Sequence, residues 1–167
     1  MDYKNENRII IKELLDDKES VKQMRELNQL FSTVFEDPES YESEPPSNEY
    51  LASLLSDEHI IVLAAMDHER IAGGLTAYVL PKLEQERREI YIYDLAVSKN
   101  DRRKGIATSL IKELQIKAGS IGASAVFVQA DPEDLPAIKL YESLGNKEDV
   151  FHFDILNERD KKRMEKK

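Results

Sequence analysis

The pattern of apolar and polar residues predicts a succession of short strands and amphipathic helices. Runs rich in β-branched and aromatic residues predict six strands, over residues 8–14, 59–66, 71–80, 89–97, 125–130 and 150–155. Apolar residues that recur at spacings of three and four predict four helices, over residues 20–35, 48–55, 106–121 and 136–144. Ser20 and Asn48 are the predicted N-caps of the first two helices. Prolines at positions 38, 45 and 46 predict a loop between those helices, from Glu36 to Ser47.

The order of these elements predicts the fold class. It indicates an α+β fold with a mixed, mostly antiparallel sheet that is flanked by helices. The sheet should become parallel only where the helix over residues 106–121 connects its two neighbouring strands, and we expect the chemistry around that crossover. The length of 167 residues suits a single domain, predicted over residues 1–156, followed by a charged C-terminal tail over residues 157–167.

Composition excludes several classes of chemistry. The chain has no cysteine, which excludes disulfides and thiolate nucleophiles. Its three histidines, His59, His68 and His152, lack the short spacing typical of a metal site, so we expect no metal. The start of the chain is polar, and its longest apolar stretch, residues 60–66, is far too short to span a membrane. These two features favour a cytoplasmic protein that is neither exported nor inserted in a membrane.

Charge favours cationic small molecules as partners. The net charge of −9 disfavours binding of a nucleic acid backbone over a broad surface. The stretch from Phe35 to Glu58 contains no lysine or arginine, while its acidic residues are Glu36, Asp37, Glu39, Glu42, Glu44, Glu49, Asp57 and Glu58. Two interpretations are open, namely a lining of the acceptor site and a solvated acidic loop.

A basic turn before the third predicted helix is a candidate anion site. A helix beginning at Gly105 presents free backbone N–H groups and the positive end of the helix dipole. Arg102, Arg103 and Lys104 add positive charge, and Gly105 lets a ligand approach the backbone. A pyrophosphate would fit there, although a solvated basic loop is an alternative. The run is neither a Walker loop nor a G-x-G-x-x-G dinucleotide motif.

Three segments resemble the acetyl-CoA motifs of the GNAT acetyltransferase superfamily. They are Leu95-Ala96-Val97, the R-x-x-G-x-A run from Arg102 to Ala107, and the segment from Ala137 to Gly145. Between about Tyr50 and Ile155 the chain is similar, more narrowly, to class I aminoglycoside 3-N-acetyltransferases. That similarity is carried by the segments at 78–82, 89–97, 105–107, 128–131 and 152–155.

The resemblance implies a reaction and a cofactor site. It implies direct transfer of an acetyl group from acetyl-CoA to an amine in a ternary complex, with the cofactor at a splayed pair of parallel strands. Pantetheine would pair with main-chain groups of the 95–97 strand. The residues implied in cofactor binding are Leu95, Ala96, Val97, Arg102, Arg103, Lys104, Gly105, Ile106, Ala107, Thr108 and Asp134, where Asp134 stands at a position that is asparagine in many members.

Candidate acid, base and substrate-binding residues follow from the chemistry of an amine. An ammonium cannot attack a thioester before it loses a proton, so a carboxylate or a water held by one is needed. Asp94, in the strand next to the thioester, is the predicted base, with a bulge-stabilising role as the alternative. Glu89, on the opposite face of the strand by parity, is the substitute if a bulge shifts the register.

The remaining candidates are an acid for the leaving group and carboxylates for the cationic acceptor. Tyr141 stands where the family places the phenol that protonates the leaving thiolate, with a core tyrosine as the alternative. Glu36, Asp37, Asp94 and Asp154 are predicted to bind the cationic acceptor, although Asp154 could be a plain edge-strand residue.

Three hypotheses of function remain at this point. The first is an aminoglycoside 3-N-acetyltransferase that confers antibiotic resistance and forms a homodimer. The second is an acetyltransferase of polyamines or peptide amines, and the third is a CoA-binding module without catalytic activity. Turnover against a small panel of amines separates the first two.

Overall fold

The computed structural model describes residues 9–155 and residue 157. These residues fall into two compact units, one ending at Gln129 and the other beginning at Ala130, and each is described by itself. The predicted tail over residues 157–167 lies outside the described residues, except for Asn157. The single-domain boundary at residue 156 therefore stays a prediction.

A five-stranded mixed sheet forms the centre of the first unit. The strands lie in the order β1-β2-β3-β4-β5, with antiparallel pairing throughout except between β4 and β5, which run parallel. Their bounds are β1 Ile10–Glu13, β2 Ile60–Asp67, β3 Arg70–Pro81, β4 Arg88–Val97 and β5 Ala123–Val128. The predicted parallel crossover is confirmed, as is the α+β class.

Helices cover the sheet in the first unit, and a further helix lies in the second. The helices are α1 Lys18–Phe35, α2 Pro38–Glu42, α3 Asn48–Leu55, α4 Ile106–Ser120 and, in the second unit, α5 Leu135–Glu142. A buried apolar core joins α1 and α3 to one face of the sheet, through residues such as Leu27, Phe31, Leu51 and Val62. The side chains of α4 that are buried, among them Leu110 and Leu114, contribute further to the core of this unit.

The structure corrects two predicted helix caps and one predicted loop. Asp17, not Ser20, caps α1, because its carboxylate accepts from the backbone N–H of Ser20 at 2.8 Å. Ser47, not Asn48, caps α3, since its hydroxyl accepts from the N–H of Tyr50 at 3.1 Å. The predicted loop contains the short helix α2, which is compatible with Pro38 because the first turn of a helix needs no donor from that residue.

Two adjacent glycines permit close packing around β3. A Cβ on Gly73 would lie 2.7 Å from the carbonyl oxygen of Ala96 in β4, and one on Gly74 would lie 2.6 Å from Leu27 of α1. Any larger residue at either position would push β3 away from its neighbours. Gly73 thus sets the spacing between β3 and the part of β4 that carries the motif Leu95 to Val97, while Gly74 allows α1 to pack closely on the sheet.

The predicted strand over residues 150–155 is wrong. None of these residues is in a strand, and the side chains of Val150, Phe151, Phe153 and Ile155 are largely exposed. A strand needs a neighbouring strand for its backbone hydrogen bonds. Between residues 130 and 155, the second unit contains no strand with which this segment could pair.

Two further features, a membrane-spanning helix and a metal-binding cluster, are absent from the described residues. No helix among residues 9–155 is long and apolar enough to cross a membrane. The same part of the chain holds no cluster of three or more histidine or acidic side chains that could bind a metal ion.

Candidate active site

A β-bulge in β4 places Asp94 on the face of the sheet that carries α1 and α3. Asp94 is paired with Thr76 of β3, but Ile92 is paired with Ala77, so Tyr93 is an extra residue without a partner. Bulges turn the side chains that follow them to the other face of the sheet. Asp94 therefore shares its face with Tyr91, which would be impossible in a regular strand.

Both carboxylate oxygens of Asp94 accept a hydrogen bond. The phenol of Tyr41 donates to Oδ1 at 2.6 Å, and the hydroxyl of Thr76 donates to Oδ2 at 2.8 Å. Two donors on different elements restrict the rotation of the carboxyl group. The arrangement presents a half-buried, oriented negative charge, which is what capture of an ammonium group requires.

Tyr41 is held by aromatic packing as well as by Asp94. Its ring lies 6.0 Å from the rings of both Phe31 and Phe35, which belong to α1. Burial, and then the hydrogen bond to Asp94, raise the pKa of the Tyr41 phenol well above its ordinary value. The phenol consequently remains a hydrogen-bond donor to Asp94 at every physiological pH.

Exposed aromatic side chains border Asp94. The rings of Tyr78 and Tyr93 meet edge to face at 5.7 Å, and 40% and 64% of these residues are exposed. Burial and the nearby charge of Asp94 raise the pKa of Tyr78. Aromatic faces beside a carboxylate are a surface suited to a cation.

The edge of β4 is free where the motif Leu95 to Val97 lies. Pairing with β5 ends at Ile92, opposite Val128, and no strand among the described residues pairs with that edge of β4 further on. On its other edge, Leu95 is paired with Leu75 of β3. Such a half-paired segment has backbone groups available for an extended ligand such as pantetheine.

The turn between β4 and α4 has the geometry of an anion site. Arg103 and Gly105 both adopt left-handed backbone conformations, with φ of 65° and 76°, respectively. No side chain caps α4, whose first turn contains no acidic residue. A Cβ on Gly105 would meet no atom within 4 Å, so the approach to the backbone is open. These residues fit a pyrophosphate, as the family resemblance implies.

The three cationic side chains of this turn differ in what they contact. Arg102 is exposed and donates from Nε to the carbonyl oxygen of Val97 at 3.3 Å. Lys104 is bound to the carboxylate of Asp101 at 2.8 Å. For Arg103, no hydrogen bond or ion pair occurs with the other described residues. The charge of Lys104 is thus already balanced, whereas neither Arg102 nor Arg103 forms an ion pair with a carboxylate of the described residues, and both are exposed.

The acidic residues predicted to bind the acceptor have different roles in the first unit. Asp37 caps α2 by accepting from the N–H of Ser40 at 3.1 Å. Hydrogen bonding from the hydroxyl of Ser40, and then from its N–H, lowers the pKa of Asp37. Glu36 ends α1 in a left-handed conformation and lies 3.9 Å from the ammonium of Lys99. Only Asp94 among them accepts hydrogen bonds from two other elements of the unit.

Glu89 lies on the same face as Asp94, contrary to the parity argument. Glu89 is paired with Leu80, which shares a face of β3 with Thr76, and the bulge removes the expected alternation. Its carboxylate lies 3.5 Å from the ammonium of Lys82 and 3.7 Å from the guanidinium of Arg87. The carboxylate of Glu89 is already engaged by two cations, so Asp94 is the better candidate base.

The second unit carries the other predicted residues. Burial, with a smaller contribution from the charge of Asp134, raises the pKa of the Tyr141 phenol to about 12. Asp134 caps α5 by accepting from the N–H of Ala137 at 3.1 Å. Asp154 is exposed and lies 3.1 Å from Nε2 of His152.

Sequence reasoning missed Tyr41 and Thr76. Tyr41 is the only aromatic residue between Glu36 and Ser47, and an aromatic residue within a polar stretch is a signal for a contact elsewhere. Thr76 gave no comparable signal, because its pairing with Asp94 depends on the strand register.

Comparison with known proteins shows the family. The Acetyltransferase (GNAT) family matches residues 22–145, which is well over half of the chain. The chain therefore belongs to the GNAT family, and its sheet, with the parallel β4–β5 pair flanked by helices, is the GNAT fold.

Solved structures with high similarity are aminoglycoside acetyltransferases. One, from an uncultured soil metagenomic sample, is 46% identical with a TM-score of 0.86, over 90% of this chain and 99% of that chain. A second, also from an uncultured soil metagenomic sample and solved in complex with trehalose, is 34% identical with a TM-score of 0.83, over 92% of this chain and 99% of that chain. The second has also been solved in complex with sisomicin.

A curated relative matches a shorter segment. The GCN5-related N-acetyltransferase 4, chloroplastic, of Arabidopsis thaliana is 40% identical over 83 residues, which are 45% of this chain. The match spans 28% of the length of that relative.

Proposed function

We propose that this protein transfers an acetyl group from acetyl-CoA to the 3-amino group of an aminoglycoside, directly and without a covalent acyl-enzyme, and so confers resistance. The observation that carries the proposal is the oriented carboxylate of Asp94, held by Tyr41 and Thr76 in the strand whose free edge follows at Leu95. The similarity to two aminoglycoside acetyltransferases supports the choice of acceptor.

The residues of the first unit fit acetyl-CoA in two places. The free edge of β4 at Leu95 to Val97 suits pantetheine, and the turn from Arg102 to Gly105 with the uncapped start of α4, at Ile106, Ala107 and Thr108, suits the pyrophosphate. When bound, acetyl-CoA supplies the thioester that a neutral amine attacks.

Asp94 has two tasks in this proposal. Its negative charge attracts the ammonium form of the acceptor, and one carboxylate oxygen, directly or through a water, then takes a proton from the nitrogen. The amine becomes a nucleophile only after that loss, because an ammonium has no free electron pair. The hydrogen bonds from Tyr41 and Thr76 leave each oxygen with a second lone pair for this purpose.

Tyr141 is proposed as the acid that returns a proton to the leaving sulfur. This role rests on the family resemblance and on its raised pKa, which keeps the phenol protonated at neutral pH. Asp134 as a cofactor contact, Asp154 as an acceptor contact and a homodimer as the functional assembly are proposals that rest on the same resemblance.

Assay of the purified protein with a panel of amines tests the proposal. We expect thiol release from acetyl-CoA with a gentamicin-type aminoglycoside, and NMR of the product should place the new amide at the 3-amino group. Asp94→Asn should lower kcat by about 10²–10⁴-fold, as expected for loss of a general base. The control is Glu113→Gln, which removes an exposed carboxylate from α4 and should leave kcat unchanged.

Each alternative has its own result in the same assay. Turnover of spermidine or a peptide amine, but not of aminoglycosides, would contradict the proposed acceptor. Binding of CoA without turnover of any amine, together with unchanged binding in Asp94→Asn, would favour a module without catalytic activity.

A further inference from the structure

Four charged side chains meet beside the turn that precedes α4. They are Asp67 and Arg70, which close the β2–β3 hairpin, and Asp101 and Lys104, which flank the turn. Arg70 donates to Oδ2 of Asp101 at 2.6 Å, to Oδ1 at 3.2 Å, and to Asp67 at 2.6 Å. Lys104 donates to Oδ1 of Asp101 at 2.8 Å. Two positive and two negative charges balance within this cluster.

Asp101 is the buried member of the cluster. Only 2% of the residue is exposed, although it is a charged side chain in a connecting segment. Hydrogen bonds from Arg70 and Lys104 lower the pKa of its carboxyl group to about 2. Its backbone is fixed too, because its N–H donates to Ser98 at 2.9 Å. These partners hold both the side chain and the backbone of Asp101 in place.

The turn that follows Asp101 contains backbone strain. Arg103 has a left-handed conformation with φ of 65°, which costs energy for a residue with a side chain. Such a conformation persists when neighbouring contacts enforce it. Asp101 and Lys104 lie on either side of Arg103, and their ion pair closes the turn around it.

We propose that Asp101 is a positioning residue for the cofactor, holding the turn from Arg102 to Gly105 in the shape that receives the pyrophosphate. Its partner Arg70 ties the turn to the β2–β3 hairpin, and Lys104 serves as a structural tie instead of a phosphate ligand. Arg102 and Arg103 then provide the positive charge for the phosphates. This inference rests on the proposed use of acetyl-CoA.

The test compares donors with and without a pyrophosphate. Asp101→Asn keeps the size of the side chain but removes its charge, and we expect the Kd for CoA, measured by calorimetry, to rise roughly tenfold. The KM for acetyl-CoA should rise similarly while kcat at saturation changes by less than about twofold. S-acetylpantetheine lacks the pyrophosphate, so its kcat/KM should be the same for wild type and Asp101→Asn. A general loss of structure would lower kcat/KM for acetyl-CoA and for S-acetylpantetheine alike.

A second variant and a matched control complete the design. Arg70→Gln removes the guanidinium that binds Asp101 from the hairpin, and it should also weaken CoA binding. The double variant should bind CoA as well as Asp101→Asn alone does, because both changes break the same ion pair between Arg70 and Asp101. If Asp101→Asn does not fold, Arg70→Gln carries the comparison of the two donors. The control is Glu13→Gln, which breaks a 2.8 Å ion pair with Lys117 near the other end of α4 and should leave CoA binding unchanged.

The outcomes separate this inference from the proposed function. Unchanged CoA binding in Asp101→Asn and Arg70→Gln, or equal losses with both donors, would overturn the inference alone. A wild-type protein that binds no CoA would overturn both. Binding of CoA by the wild type without acetylation of any amine would contradict the proposed function, while the Kd comparison would still decide the role of Asp101.

Discussion

The phenol of Tyr41 donates a 2.6 Å hydrogen bond to Oδ1 of Asp94, although 53 residues separate them in the sequence. The bond connects α2, in the acidic stretch between α1 and α3, with the bulged strand β4. The side chain of Tyr41 therefore connects the acidic stretch to Asp94, the candidate base. This attachment makes Tyr41 the residue most worth testing outside the motifs.

Tyr41→Phe should impair catalysis while the protein stays folded. The ring contacts with Phe31 and Phe35 remain, but Asp94 loses one of the two donors that orient it. We expect kcat to fall roughly tenfold, the scale of one hydrogen bond to a charged group. Steady-state kinetics with a saturating aminoglycoside measure the effect. Tyr91→Phe is the matched control, since that phenol contacts Gln129, and an equal loss in both variants would contradict the role given to Tyr41.

Tyr141→Phe should lower kcat by about 10–100-fold, less than Asp94→Asn, because a thiolate is a moderate base and needs less help than the ammonium does. Burial raises the pKa of Tyr141 to about 12, so its neutral form predominates below that pH and is lost only as the pH approaches 12. The ratio of wild-type to variant kcat should accordingly be constant from about pH 7 to 10. A pH–rate profile measures it. A loss confined to the KM for acetyl-CoA would show that the ring only positions the cofactor.

Aminoglycoside capture should depend on salt. The drug carries several positive charges, and salt screens their attraction to carboxylates over about 8–10 Å. We expect the KM for the drug to rise with ionic strength, and replacing Glu39 and Glu42 by glutamine should raise it at low salt without altering the KM for acetyl-CoA. Both residues flank Tyr41 on α2, whereas Asp37 is left intact because it caps that helix. An unchanged KM for the drug at low salt would mean that the stretch is only a solvated surface.

Gly73→Ala should destabilise the protein by about 1–3 kcal/mol, since the added Cβ would lie 2.7 Å from the backbone oxygen of Ala96. Urea unfolding gives the change in the free energy of unfolding. Gly119→Ala is the matched control, because a Cβ there meets no atom within 4 Å and lies in α4. That second change should stabilise by about 0.4–1 kcal/mol. Equal effects of the two substitutions would contradict the close approach of β3 and β4.

Local patterns were sufficient to predict most of the fold. β-Branched runs predicted β1 to β5, and the spacing of residues such as Leu110 and Leu114 predicted α4, because these signals reflect burial on one face of an element. The segment over residues 150–155 has the same kind of signal and is no strand. Alternation reports a preference for extended backbone, but pairing depends on a neighbour that the pattern does not reveal.

The candidate site was only partly predictable, for a related reason. Asp94 and the turn at Arg102 to Gly105 lie in motifs that are contiguous in sequence, so the resemblance could point to them. Tyr41 and Thr76 reach Asp94 through tertiary contacts and strand register, which no spacing rule contains. The pairing of Arg70 with Asp101, 31 residues apart, was missed for the same reason.

Because of the bulge at Tyr93, the face of the sheet on which Asp94 lies depends on how many residues of β4 are paired with β3. If every residue of β4 paired regularly, without the bulge, Asp94 would lie opposite Leu75 instead of Thr76, and its carboxylate would turn to the opposite face, away from Tyr41 and Thr76. Replacing a side chain in β4 does not change the number of paired residues. Among relatives, the absence of this bulge from a strand of the same length should therefore separate inactive from active enzymes more sharply than most substitutions do.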